Sequence, residues 1–229
     1  MLRIIAFALL SLGYLTVASA QQADTPEATI EKFSYAMGYR MAKDLIRQNI
    51  SVVDPTSLAA GVDDSLKGNP FALAGVDMQK VIEAYQNLML QVNMIRAEDN
   101  TKEGKDFMVA NKDKDGVKVF DNGIQYKILS EGTGPTPKAD DDVKVHYVGR
   151  LLDGQVFDSS RDRGQPAEFN LSGVIKGWTY TLQQMPTGSR WLVWIPPELA
   201  YGPSSPGGKI GPNQTLEFEI ELLEVLKKK

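Results

Sequence analysis

The hydrophobic period of this chain changes once, near Lys112, and that change limits what the chain can fold into. Before it, apolar residues recur at three- and four-residue steps. After it, they alternate. Ile124, Tyr126 and Ile128 alternate with polar neighbours, as do Val143, Val145 and Tyr147. Trp191, Val193 and Ile195 repeat the pattern, and Leu216, Phe218, Ile220 and Leu222 close it with Glu217, Glu219 and Glu221 on the other face. A period of two with one charged face predicts half-buried antiparallel sheet. Only Trp178 to Met185 reads as a helix within this region. The expected class is therefore α+β: a helical N-terminal part, a long connecting helix and an antiparallel sheet wrapped on one short helix.

The helical part has clear punctuation. Thr25 is placed to cap a helix that Pro26 begins, and Ile30, Phe33, Met37, Met41 and Leu45 form its apolar stripe. Asp54-Pro55 opens a second helix that Gly68-Asn69-Pro70 ends. A third begins near Val76 and carries Val81, Ile82, Tyr85, Leu88, Met89, Val92 and Ile95. Past Ala97 its apolar face thins, in AEDNTKEGKDFMVANK. Continuous to Asn111, it would be roughly 50 Å long. Its polar end predicts a solvent-bridging spacer. The implied segments are 1–20, a secretory signal; 21–75, a helical domain; 76–111, the connecting helix; and 112–229, the sheet domain.

The first twenty residues read as a cleavable signal. Arg3 gives the positive end, Ile4 to Leu12 the apolar run, and Ala18-Ser19-Ala20 the small-residue site, with cleavage after Ala20. The protein is therefore expected to be exported. With no cysteine, it needs no oxidative folding and has no thiol for lipid attachment. A net charge of −4 without a long basic tract argues against a nucleic-acid partner.

Several chemistries are set aside on residue types. His146, the sole histidine, alternates with inward Val145 and Tyr147 and is expected to face solvent. That leaves no Ser-His or Cys-His nucleophile system and no histidine-based metal site, so no metal and no cofactor is expected. Asn111 to Gly116 superficially resembles a calcium loop but lacks the acid spacing and closing Glu. GPSSPGGKIGP lacks the Lys-Ser/Thr ending of a phosphate loop and reads as a long surface loop. Trp194 alternates opposite its strand's apolar face and is expected to be exposed, either packed on a flank or serving a partner.

What remains is one acid among apolar and aromatic residues. VFDSSRDRGQPAEFNL and SGVIKGWTYTLQQM run from Val156 to Met185 and set Asp158 with Phe157, Phe169, Val174, Ile175 and Trp178; PPELAYG adds Tyr201. With VKVHYVGRLLDG upstream and TLEFEIELLEVL downstream, these motifs resemble the FKBP family of peptidyl-prolyl cis/trans isomerases over about residues 120–226. SYAMGYRMAKDL, the signal-like start and the long charged helix resemble its macrophage infectivity potentiator branch, whose members are exported homodimers.

The resemblance implies roles for these residues. Trp178 would be the floor beneath a proline ring, with Tyr147, Phe157, Phe169, Val174, Ile175 and Phe218 as walls. Asp158 would face the substrate carbonyl, or hold Tyr147 or Arg163. Tyr201 would donate to a substrate carbonyl, and Ile210 would lie on the flap between Gly202 and Pro212. Catalytic weight falls on Asp158, Tyr201 and Trp178. Read without the resemblance, Phe157, Phe169, Trp178 and Phe218 are plain core residues, and Asp158 is a turn acid with a surface ion pair.

Ala167, Pro206 and Lys209 depart from the small members of the family and imply a more open rim. That bears on macrolide ligands such as tacrolimus or rapamycin. For the stripe of Phe33, Met37, Met41 and Leu45 two readings stand: an intramolecular core with the helix from Val76 to Ile95, or an interface with a second copy. The resemblance favours the second. It also implies placement in the periplasm or at the outer membrane or cell surface, and a part in host infection. A rival function is a dimeric chaperone or surface adhesin for unfolded or proline-rich chains such as collagen, with incidental turnover. A third is an inert spacer.

Overall fold

The computed structural model describes residues 25–48, 50 and 52–226. The signal-like segment, its cleavage site and the terminal lysines lie outside these residues. The chain divides into two compact units between Asp44 and Leu45.

Helix α1, Pro26–Arg47, starts where Thr25 accepts a hydrogen bond from the Ala28 amide at 3.2 Å. It buries none of its residues: Ile30 and Phe33 are each 66% exposed, Met37 49% and Met41 37%. Leu45 is half-buried. Helix α2, Pro55–Lys67, has the predicted Asp54 cap, which accepts from the Ser57 amide at 2.8 Å. Gly68 ends it in the left-handed region, where a side chain would be strained.

Helix α3, Met78–Asn111, is continuous. Its first half leaves Val81, Ile82, Met94 and Ile95 exposed. Its second half corrects the expectation of a solvated spacer, because it packs on the sheet. Gly104 and Asn111 are buried. A methyl group on Gly104 would collide with the Thr215 side chain, so here glycine is needed for close approach. The Asn111 side chain donates to Gln125 at 3.0 Å, and Gln125 donates to the Met108 carbonyl at 2.6 Å. Small and polar contacts thus hold this end of the helix to the sheet without an apolar stripe.

The sheet has seven antiparallel strands: β1 Val117–Val119, β2 Gln125–Ser130, β3 Asp142–Arg150, β4 Val156–Ser159, β5 Ala167–Asn170, β6 Arg190–Ile195 and β7 Leu216–Leu226. Their order is β1-β2-β6-β7-β3-β4, with β5 also pairing β3. The alternating residues face one core: Val143, Val145, Val193, Leu216, Ile220 and Leu222 have no exposed surface. Helix α4, Lys176–Leu182, lies on that face and buries Trp178, Thr181 and Leu182. It ends before the predicted Met185, which is nonetheless buried.

Two polar-face expectations are corrected. Trp194 is 5% exposed rather than open to solvent. Its indole N–H donates to Glu217 at 2.9 Å, and Phe107 of α3 lies 6.2 Å from its ring. The residue that covers it lies over eighty positions earlier in the chain, a contact that strand alternation does not encode. His146 does alternate with Val145 and Tyr147, but it is half-buried and its Nδ1 lies 3.0 Å from the Ser160 hydroxyl.

Candidate active site

Strand β3 brings Tyr147 to the core face. Ser160 fixes the backbone there: its hydroxyl accepts from the Tyr147 amide at 2.8 Å, and its amide donates to the Tyr147 carbonyl at 3.0 Å. Ser160 is fully buried. Nothing in the sequence pattern singled it out, because serines after an acid read as turn residues.

Neighbouring residues on a strand normally point to opposite faces, yet Phe157 and Asp158 line one cavity. The cause is a β-bulge. Asp158 pairs with Gly149, but Val156 pairs with Arg150, so Phe157 is the extra residue. Gly149 completes the arrangement, since a side chain there would meet the Phe157 ring at 2.6 Å and the Phe218 ring at 3.0 Å.

The cavity has a volume of about 300 Å³ and is lined by Tyr147, Phe157, Asp158, Phe169, Gly173, Val174, Ile175, Trp178, Tyr201 and Phe218. Gly173 is an addition to the residues singled out in the sequence. Ile210 is the one singled-out cavity residue that does not line it. It sits on the loop after Gly202, 8% exposed, with its carbonyl accepting from Ser205.

Trp178 is the centre of the apolar part and is 4% exposed. Tyr147, Phe169 and Phe218 meet it edge-on, at centroid distances of 5.1, 5.6 and 5.3 Å. Such edge-to-face pairs add about 0.5–1.5 kcal/mol each beyond burial. The result is a rigid box whose polar groups gather at the rim.

At that rim the Asp158 carboxylate accepts from both the Tyr147 hydroxyl and the Arg163 guanidinium. Arg163 also donates to the Tyr147 hydroxyl oxygen at 3.0 Å and lies 5.6 Å from its ring centre. The Ser159 amide donates to Asp158 at 2.8 Å. Of the two expectations for Asp158, these contacts match the acid that holds Tyr147 and Arg163 together. Burial pushes the Asp158 carboxyl up, but these donors outweigh burial and hold it below its ordinary value. Burial, helped by the adjacent carboxylate, raises the Tyr147 hydroxyl. Burial and then the Asp158 charge raise the Tyr201 hydroxyl. Both phenols thus stay protonated at neutral pH.

Tyr201 differs from the rest. It is 39% exposed, and no described residue hydrogen-bonds its hydroxyl. A phenolic donor at the edge of an aromatic box can bind a carbonyl whose flanking ring is buried. Nothing in the box is arranged as a nucleophile with its base.

Comparison with known proteins agrees with this chemistry. A model of the FKBP-type peptidyl-prolyl cis-trans isomerase matches residues 134–223, and a model of the domain amino-terminal to that isomerase matches residues 30–128. The chain is 40% identical to the outer membrane protein MIP of Legionella longbeachae over 230 residues, 99% of this chain and 98% of that protein. It is 38% identical to the peptidyl-prolyl cis-trans isomerase Mip of Coxiella burnetii, over 96% of each. The crystal structure of FkpA from Escherichia coli aligns with a TM-score of 0.60 at 33% identity, over 88% of this chain and 97% of that one. This chain belongs to the FKBP-type peptidyl-prolyl cis-trans isomerase family, and the reaction it catalyses is rotation about X-Pro peptide bonds.

Proposed function

We propose that the cavity over Trp178 catalyses this rotation by desolvation, with Tyr201 holding the twisted carbonyl. The observation that carries this reading is a free phenolic donor, Tyr201, beside a box of aromatic edges. The barrier to X-Pro rotation reflects lost amide resonance. Water favours the planar, charge-separated bond over the twisted one. An apolar site removes that preference, and a donor that bonds better to the twisted carbonyl lowers the barrier further. Trp178 would support the proline ring, with Val174, Ile175, Phe157, Phe169 and Phe218 around it. The Asp158–Tyr147–Arg163 cluster would keep the rim in one geometry.

Because no proton moves in this mechanism, its pH dependence is distinctive. Asp158 has a depressed carboxyl, so its ionised, bonded form persists above the unfolded value of 3.8 and is lost only as pH falls through the lower folded value. Tyr147 and Tyr201 are raised and lose their protons only in strong base. NMR exchange on a Leu-Pro peptide is expected to give a rate flat between about pH 5 and about pH 9. A bell-shaped profile within that window would instead point to acid–base catalysis.

The proposed setting is an exported homodimer acting on proline-containing chains in the periplasm or at the cell surface, with the helical part (21–75) joining two copies. The exposure of Ile30, Phe33 and Met37 in the single chain supports this reading, because such a stripe on one face of a helix needs a cover. Phe33→Glu combined with Met37→Glu is expected to convert a dimer to a monomer in sedimentation equilibrium. Turnover per chain on a short peptide should stay within about twofold, since neither residue touches the cavity. A wild-type chain that sediments as a monomer would remove the dimer. Tacrolimus or rapamycin would compete for the same cavity. Collagen-like proline-rich chains and a part in infection belong to this reading as candidate outlets of the activity.

A further inference from the structure

Tyr201 has a placement problem. A donor for a twisted carbonyl must sit within a few tenths of an ångström of its working position. Yet no described residue hydrogen-bonds the Tyr201 hydroxyl, and more than a third of the residue is exposed. With no hydrogen bond to fix the hydroxyl, its placement depends on ring packing and on the backbone that carries it, which opens directly into the loop from Gly202 to Asn213.

The neck of that loop is tied to helix α3. The Asn213 amide donates to the Gly202 carbonyl at 2.7 Å, and the Gly202 amide donates to the Pro197 carbonyl at 2.8 Å. Asn213 adopts φ 53, the only described non-glycine residue with positive φ. Asparagine tolerates that region better than most residues. In it the Asn213 side chain reaches α3 and donates to the Thr101 hydroxyl at 3.2 Å. The Thr101 hydroxyl can accept because its own proton goes to the Ala97 carbonyl at 2.6 Å. One residue earlier on the helix, Asn100 donates to the Pro212 carbonyl at 2.7 Å. One turn later, Gly104 leaves room for Thr215. A single face of α3 therefore grips the loop exit, and a backbone bond across the neck passes that restraint to the residue next to Tyr201.

We propose that Asn100 and Asn213 are positioning residues for Tyr201, so that helix α3 sets the donor geometry of the isomerase cavity. The proposal rests on the reading of Tyr201 as the carbonyl donor. It makes the long helix a functional part of the site as well as a connector. It also explains why an asparagine occupies a left-handed position where glycine would be easier: glycine supplies the turn but not the side-chain bond to Thr101.

The test is a double-mutant cycle in the full chain, read as kcat/KM on a Leu-Pro peptide. Asn100→Ala and, separately, Asn213→Gly are each crossed with Tyr201→Phe. Asn213→Gly keeps the positive φ and the backbone bond to Gly202, so the loop can still close. Each single substitution is expected to lower kcat/KM by about fivefold to tenfold, and by less than about twofold once the Tyr201 hydroxyl is gone. A residue that only stabilises the fold would cost the same factor in both backgrounds, and that result would overturn the proposal. So would unchanged activity in both asparagine variants while Tyr201→Phe is impaired. An unimpaired Tyr201→Phe would overturn the donor role itself, and the positioning role with it.

Discussion

Trp178→Ala is expected to lower the unfolding free energy by about 3–5 kcal/mol, the usual cost of truncating a buried aromatic residue. The site gives little room for relaxation. Trp178 is 4% exposed, and three rings meet it edge-on from strands β3, β5 and β7. Removing the indole deletes three pair interactions and leaves a void that the sheet cannot close without moving β3. Urea denaturation should show the loss as a lower midpoint at unchanged slope. Trp178→Phe separates floor from fold. It keeps an aromatic surface and most of the stability, yet isomerase activity should still fall, because the smaller ring lies deeper and lets water reach the imide.

Asp158→Leu is expected to act the other way, with a large loss of activity and a small loss of stability. The carboxylate collects bonds from the Tyr147 hydroxyl, the Arg163 guanidinium and the Ser159 amide. Its side chain is 44% exposed, so water screens the ion pair, and the stability cost should stay within about 1 kcal/mol. The functional cost is larger, because Tyr147 and Arg163 lose a common acceptor at the rim where the carbonyl must dock. Leaving such groups unpaired costs about 1–3 kcal/mol when a substrate covers them, which corresponds to a roughly 5- to 150-fold drop in kcat/KM. A melting temperature lowered by no more than about 4 °C together with that drop is the expected pair of results. Asp158→Asn, which keeps an acceptor oxygen, should lie between the two.

Much of this was legible in the chain before any coordinates. Strand alternation placed Val143, Val145, Tyr147, Trp191, Val193, Leu216, Phe218 and Ile220 inward, and all are buried. Caps at Asp54 and Thr25 marked helix starts because capping is a local matter of one side chain and one amide. What could not be read depends on contacts between distant segments. The bulge at Phe157 arises from the register of β4 against β3, and sequence periodicity carries no register. Trp194 is buried rather than exposed because its cover, Phe107, comes from the end of α3 whose apolar face thins. Likewise, the need for glycine at position 104 is set by Thr215, which lies more than a hundred residues away in the chain. Ile210 lies on the loop after Gly202 but packs with the hydrophobic core and is not among the residues that line the cavity, a tertiary contact that periodicity does not encode.

If X-Pro rotation takes place with the proline ring resting on Trp178, substrate must perturb that indole directly. The indole N–H of Trp178 has no hydrogen-bond partner among the described residues, which makes its resonance a sensitive reporter. A Leu-Pro peptide titrated into the isotope-labelled full chain, with exchange between its cis and trans forms followed in the same sample, tests the claim directly. The expected result is saturable movement of the Trp178 indole signal with little change at Trp194, at concentrations that also accelerate exchange. Accelerated exchange with the Trp178 signal unmoved would contradict it and place the reaction elsewhere on the molecule.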